Sequence, residues 1–183
     1  MAESQLSSEF QWCVDEFADV ELKDARLNRR CSELAVQLAM QPNGPINQAC
    51  EDWADTKATY RFFDNDKVTA ERIQAPHHQR TVQRMAQHKR VLAVQDTTFL
   101  NFTHHPKNTG LGEIGTKTQQ QSGFGMHSTL AMTTEGMPLG VLTQALFTRP
   151  PGLPSHRPEE LRLLPIEEKE SYRWLQAFTQ TLA

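Results

Sequence analysis

The chain of 183 residues holds 38% hydrophobic and 22% charged residues with a formal net charge of −3, a soluble composition that suits one moderate core or two small ones. No run approaches the roughly 18 consecutive apolar residues that a membrane span needs, and no basic-then-apolar leader opens the chain, so the expectation is a cytoplasmic protein without a membrane partner. Cys13, Cys31 and Cys50 are odd in number and far apart, which excludes a disulfide framework and a CxxC zinc site; the adjacent pairs His77-His78 and His104-His105 lack the i, i+4 spacing of a helical zinc site.

The charge is uneven. Residues 1–22 carry six acids and no Lys or Arg, residues 23–90 carry twelve bases against eight acids, and residues 91–183 carry seven against eight. The basic excess is therefore local to the middle segment, where it permits a phosphate-contacting face but equally suits a solvated surface.

In chain order, residues 24–41 place Leu27, Cys31, Leu34, Ala35 and Leu38 at steps of three and four, which predicts an amphipathic helix started by Asp24 and stopped by Pro42-Asn43-Gly44. Its polar side carries Arg26, Arg29 and Arg30, candidates for phosphate contact or for simple solvation. Two short helices follow at about 46–53 and 56–63, with Trp53, Ala58, Phe62 and Phe63 as core candidates and Lys57, Thr59, Tyr60 and Arg61 on polar or aromatic faces. A long helix, a turn and two short helices resemble a compact helix-turn-helix arrangement. Tyr60 fits a groove contact or the core.

Residues 69–88 begin at a Thr69 cap with Glu71 in the first turn; Pro76 can start a second helical piece, and Val82 and Met85 are expected to pack inward. Arg80, Arg84, Lys89 and Arg90 are expected on the surface, for phosphate contact or for solvation. At Val91 the character changes. The run VLAVQDTTFLNF suits a strand covered on both faces and ending at Gln95 and Asp96. A polar, glycine-rich loop from Thr103 to about Gly123 is followed by MHSTLAMTT and LGVLTQALFTR, joined by Glu135-Gly136-Met137-Pro138 as a β-hairpin. Residues 150–166 carry five of the ten prolines and are expected to be an extended loop; the closing IEEKESYRWLQAFTQTLA reads as a helix with Tyr172, Leu175, Phe178 and Leu182 on one side.

Asp96 is the sharpest single residue. A carboxylate at the end of a buried strand beside two hydroxyl residues can hold a divalent metal at the rim of a sheet, or can simply satisfy the amides of Thr97 and Thr98 as a turn residue. Phosphodiester chemistry needs several such carboxylates, because two metals about 3.5–4 Å apart stabilise both the attacking and the leaving oxygen.

Five segments in order carry a resemblance: LKDARLNRR (22–30), ATYRFFDN (58–65), AVQDTT (93–98), the HS within MHSTL (126–130) and EEKESYRWL (167–175). Together they resemble the bacterial DDE transposases of the transposon Tn-five type, in the insertion-sequence-four group, over nearly the whole chain. The resemblance implies an α+β chain: an all-helical DNA-binding domain at 1–70, then at 71–183 a linking helix and the first β-β-β-α part of a ribonuclease-H-like catalytic domain. It implies that Asp96 is the first carboxylate of the DDE triad, a ligand of Mg²⁺ or Mn²⁺. It also implies that the helical domain grips double-stranded DNA at transposon ends, with Arg26, Arg29, Arg30, Lys57, Tyr60 and Arg61 as the candidate contacts, in a nucleoid-associated protein.

The family's second Asp and its Glu lie beyond the helix that begins near EEKES, and no acid of this chain takes either role, so the expectation is a truncated or frameshifted reading frame that is catalytically incomplete alone. A rival expectation is a non-catalytic competitor of an intact transposase, or its hetero-oligomer partner; homodimerisation is a third arrangement. A helix-turn-helix regulator with an unrelated β domain is more distant, because a regulator needs no acid at the end of a buried strand.

Overall fold

The structure, a computed structural model, describes residues 9–105, 107–115, 121–149 and 162–182. The chain divides into two compact units, one up to Gln83 and one from Arg84.

The first unit is helical: α1 (Gln11–Glu16), α2 (Ala25–Met40), α3 (Ile46–Ala49), α4 (Trp53–Phe63) and α5 (Ala70–Met85), the last running through the boundary. Helix α2 starts where the sequence places it, because the Asp24 carboxylate accepts the Arg26 N–H at 3.0 Å and so satisfies one of the orphan donors of the first turn. Cys31 and Leu34 on its inner face meet Val20, Leu22 and Phe62, and Phe17, Leu27, Val68 and Ile73 pack around them. Leu22, fully buried, is fixed from both sides: its side chain enters this core while its N–H donates to Asn28 Oδ1 at 2.9 Å.

The next two helices depart from the periodicity. The first stops at Ala49, and the second begins at Trp53 because Asp52 caps it, accepting the Asp55 N–H at 2.8 Å. Its inner face is Thr56, Thr59 and Phe62, whereas Trp53, Ala58 and Phe63, expected in the core, are exposed. Threonine can line a core here because each hydroxyl donates to the carbonyl four residues back, Thr56 to Asp52 and Thr59 to Asp55, which leaves the methyl group to pack.

Helix α5 is one piece. Pro76 does not begin a new helix but lies buried inside this one. Val82 faces out, and Thr81 is the buried residue, its hydroxyl bonded to the His77 carbonyl at 2.9 Å. Arg80 and Arg84 already hold internal partners: Arg80 bonds Asp19 at 2.9 Å within the first unit, and Arg84 donates to the Leu139 carbonyl within the second.

The second unit is an antiparallel sheet of β1 (Val91–Asn101), β2 (Gly112–Ile114), β3 (Gln121–Thr133) and β4 (Pro138–Phe147), followed by a 3₁₀ turn (Ile166–Glu168) and helix α6 (Tyr172–Leu182). Strand β3 is the axis. Its register pairs Val91 with Thr133 and Asn101 with Gly123 along β1, and Gly125 with Phe147 through Met132 with Pro138 along β4. Short β2, which lies within the expected loop, pairs with the start of β3 on the side away from β1. The hairpin turn falls where expected: Gly136 takes φ +88°, and Thr133 Oγ1 accepts the N–H groups of Glu135 and Met137.

Antiparallel β1, β3 and β4 followed by helix α6 match the opening part of a ribonuclease-H-like topology, with short β2 added between β1 and β3 in the chain, so the α+β architecture read from the sequence holds. Most of the proline-rich segment, residues 150–161, lies outside the described residues. Strand β1 does not end at Asp96; it continues five residues to Asn101 because β3 is long enough to pair with all of it. Nor is it covered on both faces, since Leu92 and Val94 are exposed. Helix α6 seats on the sheet through buried Ala177, while Leu175, Phe178 and Leu182, expected as its packing stripe, face outward.

Candidate nucleic-acid interface

Helix α4 presents a face opposite to its core. Trp53, Lys57, Tyr60 and Arg61 recur at steps of four, three and one, which gathers them on one side at 3.6 residues per turn. All four are exposed, Trp53 at 66% and Tyr60 at 51%, and the Lys57 ammonium lies 5.3 Å from the centre of the Trp53 ring. Two aromatic rings and two cations on one open helix face can contact a polyanion by charge and its sugars or bases by stacking. Trp53 is the member that periodicity misassigned. Its spacing to Lys57 and Tyr60 could have found it, had its apolar character not placed it in the core.

The three arginines of α2 separate. Arg26 and Arg29 are open, with side chains 86% and 76% exposed; they lie 3.4 Å from Asp24 and 3.6 Å from Glu33. Arg30 is turned inward, 17% exposed, and its guanidinium donates to Asp55 Oδ1 at 2.6 Å, Thr59 Oγ1 at 2.7 Å and the Asp55 carbonyl at 3.2 Å. Gln37 and the Glu51 N–H bond the other Asp55 oxygen. Desolvation works to raise the Asp55 carboxyl, but the hydrogen bonds from Arg30 and Glu51, the Arg30 charge and Gln37 hold it below the usual carboxylate range. Arg30 thus locks α2 to α4 and holds the exposed face of α4 in place.

In the second unit, Asp96 is exposed at mid-strand, opposite Ser128 in register. The neighbouring position points through the sheet to the α6 side. There His127 is buried, with Nδ1 2.7 Å from Thr97 Oγ1, Nε2 3.2 Å from Gln95 Oε1, and its ring edge-on to Trp174 at 4.9 Å. These contacts suit a neutral ring protonated on Nε2, which donates to Gln95 while Nδ1 accepts from Thr97. Burial pushes the His127 pKa down, the Arg173 charge adds to this, and the Asp96 charge opposes it. Among the described residues no group of three or more His, Cys, Asp or Glu side chains converges.

A helical unit with an open aromatic and basic helix face is joined in this chain to a ribonuclease-H-like sheet. Residues 9–68 match the family model described as transposase DNA-binding, a span that contains α1 to α4 and all six candidate contact residues. The chain therefore carries an N-terminal DNA-binding domain of the transposase type.

Proposed function

We propose that this chain recognises the ends of an insertion sequence as a DDE transposase of the Tn-five type does, binding double-stranded DNA through its helical unit. The observation that carries the reading is the α4 face of Trp53, Lys57, Tyr60 and Arg61, inside the span that matches the DNA-binding model. Arg26 and Arg29 are further exposed cations on α2, and Arg30 braces α4 from within. In this reading Asp96 is one ligand of Mg²⁺ or Mn²⁺, and the remaining carboxylates of the centre come from outside the described residues.

The test is enrichment of duplexes from a random-sequence pool by the full chain, followed by titration of the enriched duplex. The expected outcome is a defined sequence bound by the wild type and lost in Trp53→Ala/Tyr60→Ala with the fold retained. Enrichment of no sequence, or unchanged binding by the double variant, overturns the proposal. With Mg²⁺ or Mn²⁺ the chain alone is expected to leave the bound duplex intact; cleavage abolished by Asp96→Ala would show a complete metal centre.

A further inference from the structure

Beyond the end of β1 the sheet carries a second candidate surface. The Phe102 N–H donates to the Ser122 carbonyl at 2.8 Å, so pairing with β3 continues past Asn101 and the alternation of faces with it. Phe102 therefore shares the face of Asp96, and so does Phe124 on β3, two residues before Met126. Their rings lie nearly parallel, 14° apart with centroids at 5.5 Å, and His105 stands edge-on to Phe102 at 5.9 Å. The segment 107–111 lies beside these rings and, with them, lines an open cleft of about 340 Å³ formed by Phe102, Phe124, Leu111, Lys107, Asn108 and Thr109.

We propose that this cleft receives one unpaired nucleobase of a DNA strand. The proposal rests on the DNA-binding reading above but concerns the second unit. The cleft lies at the small end of ligand pockets, which suits a single base better than a duplex. A flat π-system added to a parallel ring pair gains stacking contact whatever the base. Asn108 and Thr109 offer donors and acceptors to the base edge, and exposed Lys107 offers a cation to the adjoining phosphate. Six residues of strand, about 20 Å, separate Phe102 from Asp96 along this face. A strand that follows this face passes over the rings. Holding one base there fixes the register of the strand on the sheet.

The experiment uses the full chain with two probes. One is a single-stranded oligonucleotide carrying one 2-aminopurine, and the other is a blunt duplex of the sequence enriched above. The expected result is quenching of 2-aminopurine fluorescence on binding, with affinity for the single strand falling roughly five- to a hundredfold in Phe124→Ala. Lys107→Ala is expected to weaken it less, and duplex affinity to stay unchanged. Because Phe124 lies in β3, the loop variants Lys107→Glu and Asn108→Ala provide the second arm. Absence of quenching in the wild type overturns the cleft proposal whether or not the duplex binds. So does quenching that survives Phe124→Ala or, where that variant fails to fold, survives both loop variants. Quenching that persists when no duplex is bound upholds the cleft and overturns the helical-unit reading alone.

Discussion

Arg30 on α2 and Asp55 on α4 meet at 2.6 Å, and with Thr59 and the Gln37–Asp55 bond this pair ties together the two helices that build the candidate DNA interface. Replacing Arg30 by Ala leaves the carboxylate without its charged donor in a half-buried site and is expected to cost about 1.5–3 kcal/mol. The contribution depends on pH in a defined direction. The Asp55 pKa is depressed in the folded chain, so its stabilisation is present above the unfolded value near 4 and is lost as pH falls through the folded value. Urea midpoints of wild type and Asp55→Asn should therefore differ most near neutrality and converge as acid is added. A difference that holds constant down to pH 2 would remove the ion pair as its cause.

The same geometry separates stability from DNA binding. Lys57 and Arg61 are exposed on α4, so Lys57→Ala/Arg61→Ala should leave the melting temperature nearly unchanged while making the slope of log K against log salt shallower by about 0.9 for each phosphate no longer neutralised. Arg30→Ala should do the reverse, lowering stability while keeping the slope of the molecules that remain folded. Equal slopes in all three proteins would return Lys57 and Arg61 to the role of solvated surface charges.

Much of the fold was legible because its signals are local. Asp24 reads as a cap and is one, and the Glu135-Gly136 turn between alternating strands reads as a hairpin and is one. Of the α4 core only Phe62 was legible, since a search for apolar periodicity cannot see Thr56 and Thr59, whose hydroxyls are satisfied by their own helix. That same blindness placed Trp53 inside. Pro76 misled because proline usually ends a helix, and its burial within α5 is a tertiary effect. Within the candidate site, Arg26, Arg29 and Arg30 are indistinguishable in sequence; only the position of Asp55, a residue 25 places away, selects Arg30 for the interior.

Gly125 faces the Phe147 ring so closely that a Cβ there would overlap it. An exposed glycine replaced by alanine in a compatible conformation usually gains about 0.4–1 kcal/mol. Gly125→Ala is instead expected to lose about 1–3 kcal/mol, because the ring must leave its rotamer or the strands must part. Thermal melting decides the sign, and a stabilised variant would show that Phe147 moves aside freely.

His127 links strand and helix through Thr97, Gln95 and Trp174, and its folded pKa lies below the ordinary value near 6.5. Between the folded value and about 6.5 the unfolded chain binds more protons, so stability rises with pH across that window and falls on acidification. Carbon-bound proton shifts of His127 should titrate below pH 6.5, and stability should drop over the same range in wild type but less in His127→Gln. Titration at or above 6.5 would place the ring in contact with water.

Strand β1 pairs with β3 along one edge, and among the described residues its other edge has no partner. That edge belongs to an eleven-residue strand, and no Lys or Pro lies between Val91 and Asn101 to block pairing with another chain. Leu92 and Val94 are also exposed on the Asp96 face, so a second strand docking there would find apolar side chains as well as free N–H and C=O groups. The full chain is therefore expected to self-associate at tens of micromolar, with amides of 91–101 gaining exchange protection as concentration rises. Val94→Lys places a charge on the exposed face without entering the α6 side of the sheet, and should shift the chain toward monomer in sedimentation while leaving the DNA affinity of the helical unit in place. A wild-type chain that stays monomeric, with β1 amides strongly protected at low concentration, would show that the edge is already covered and would remove this strand as a site of association.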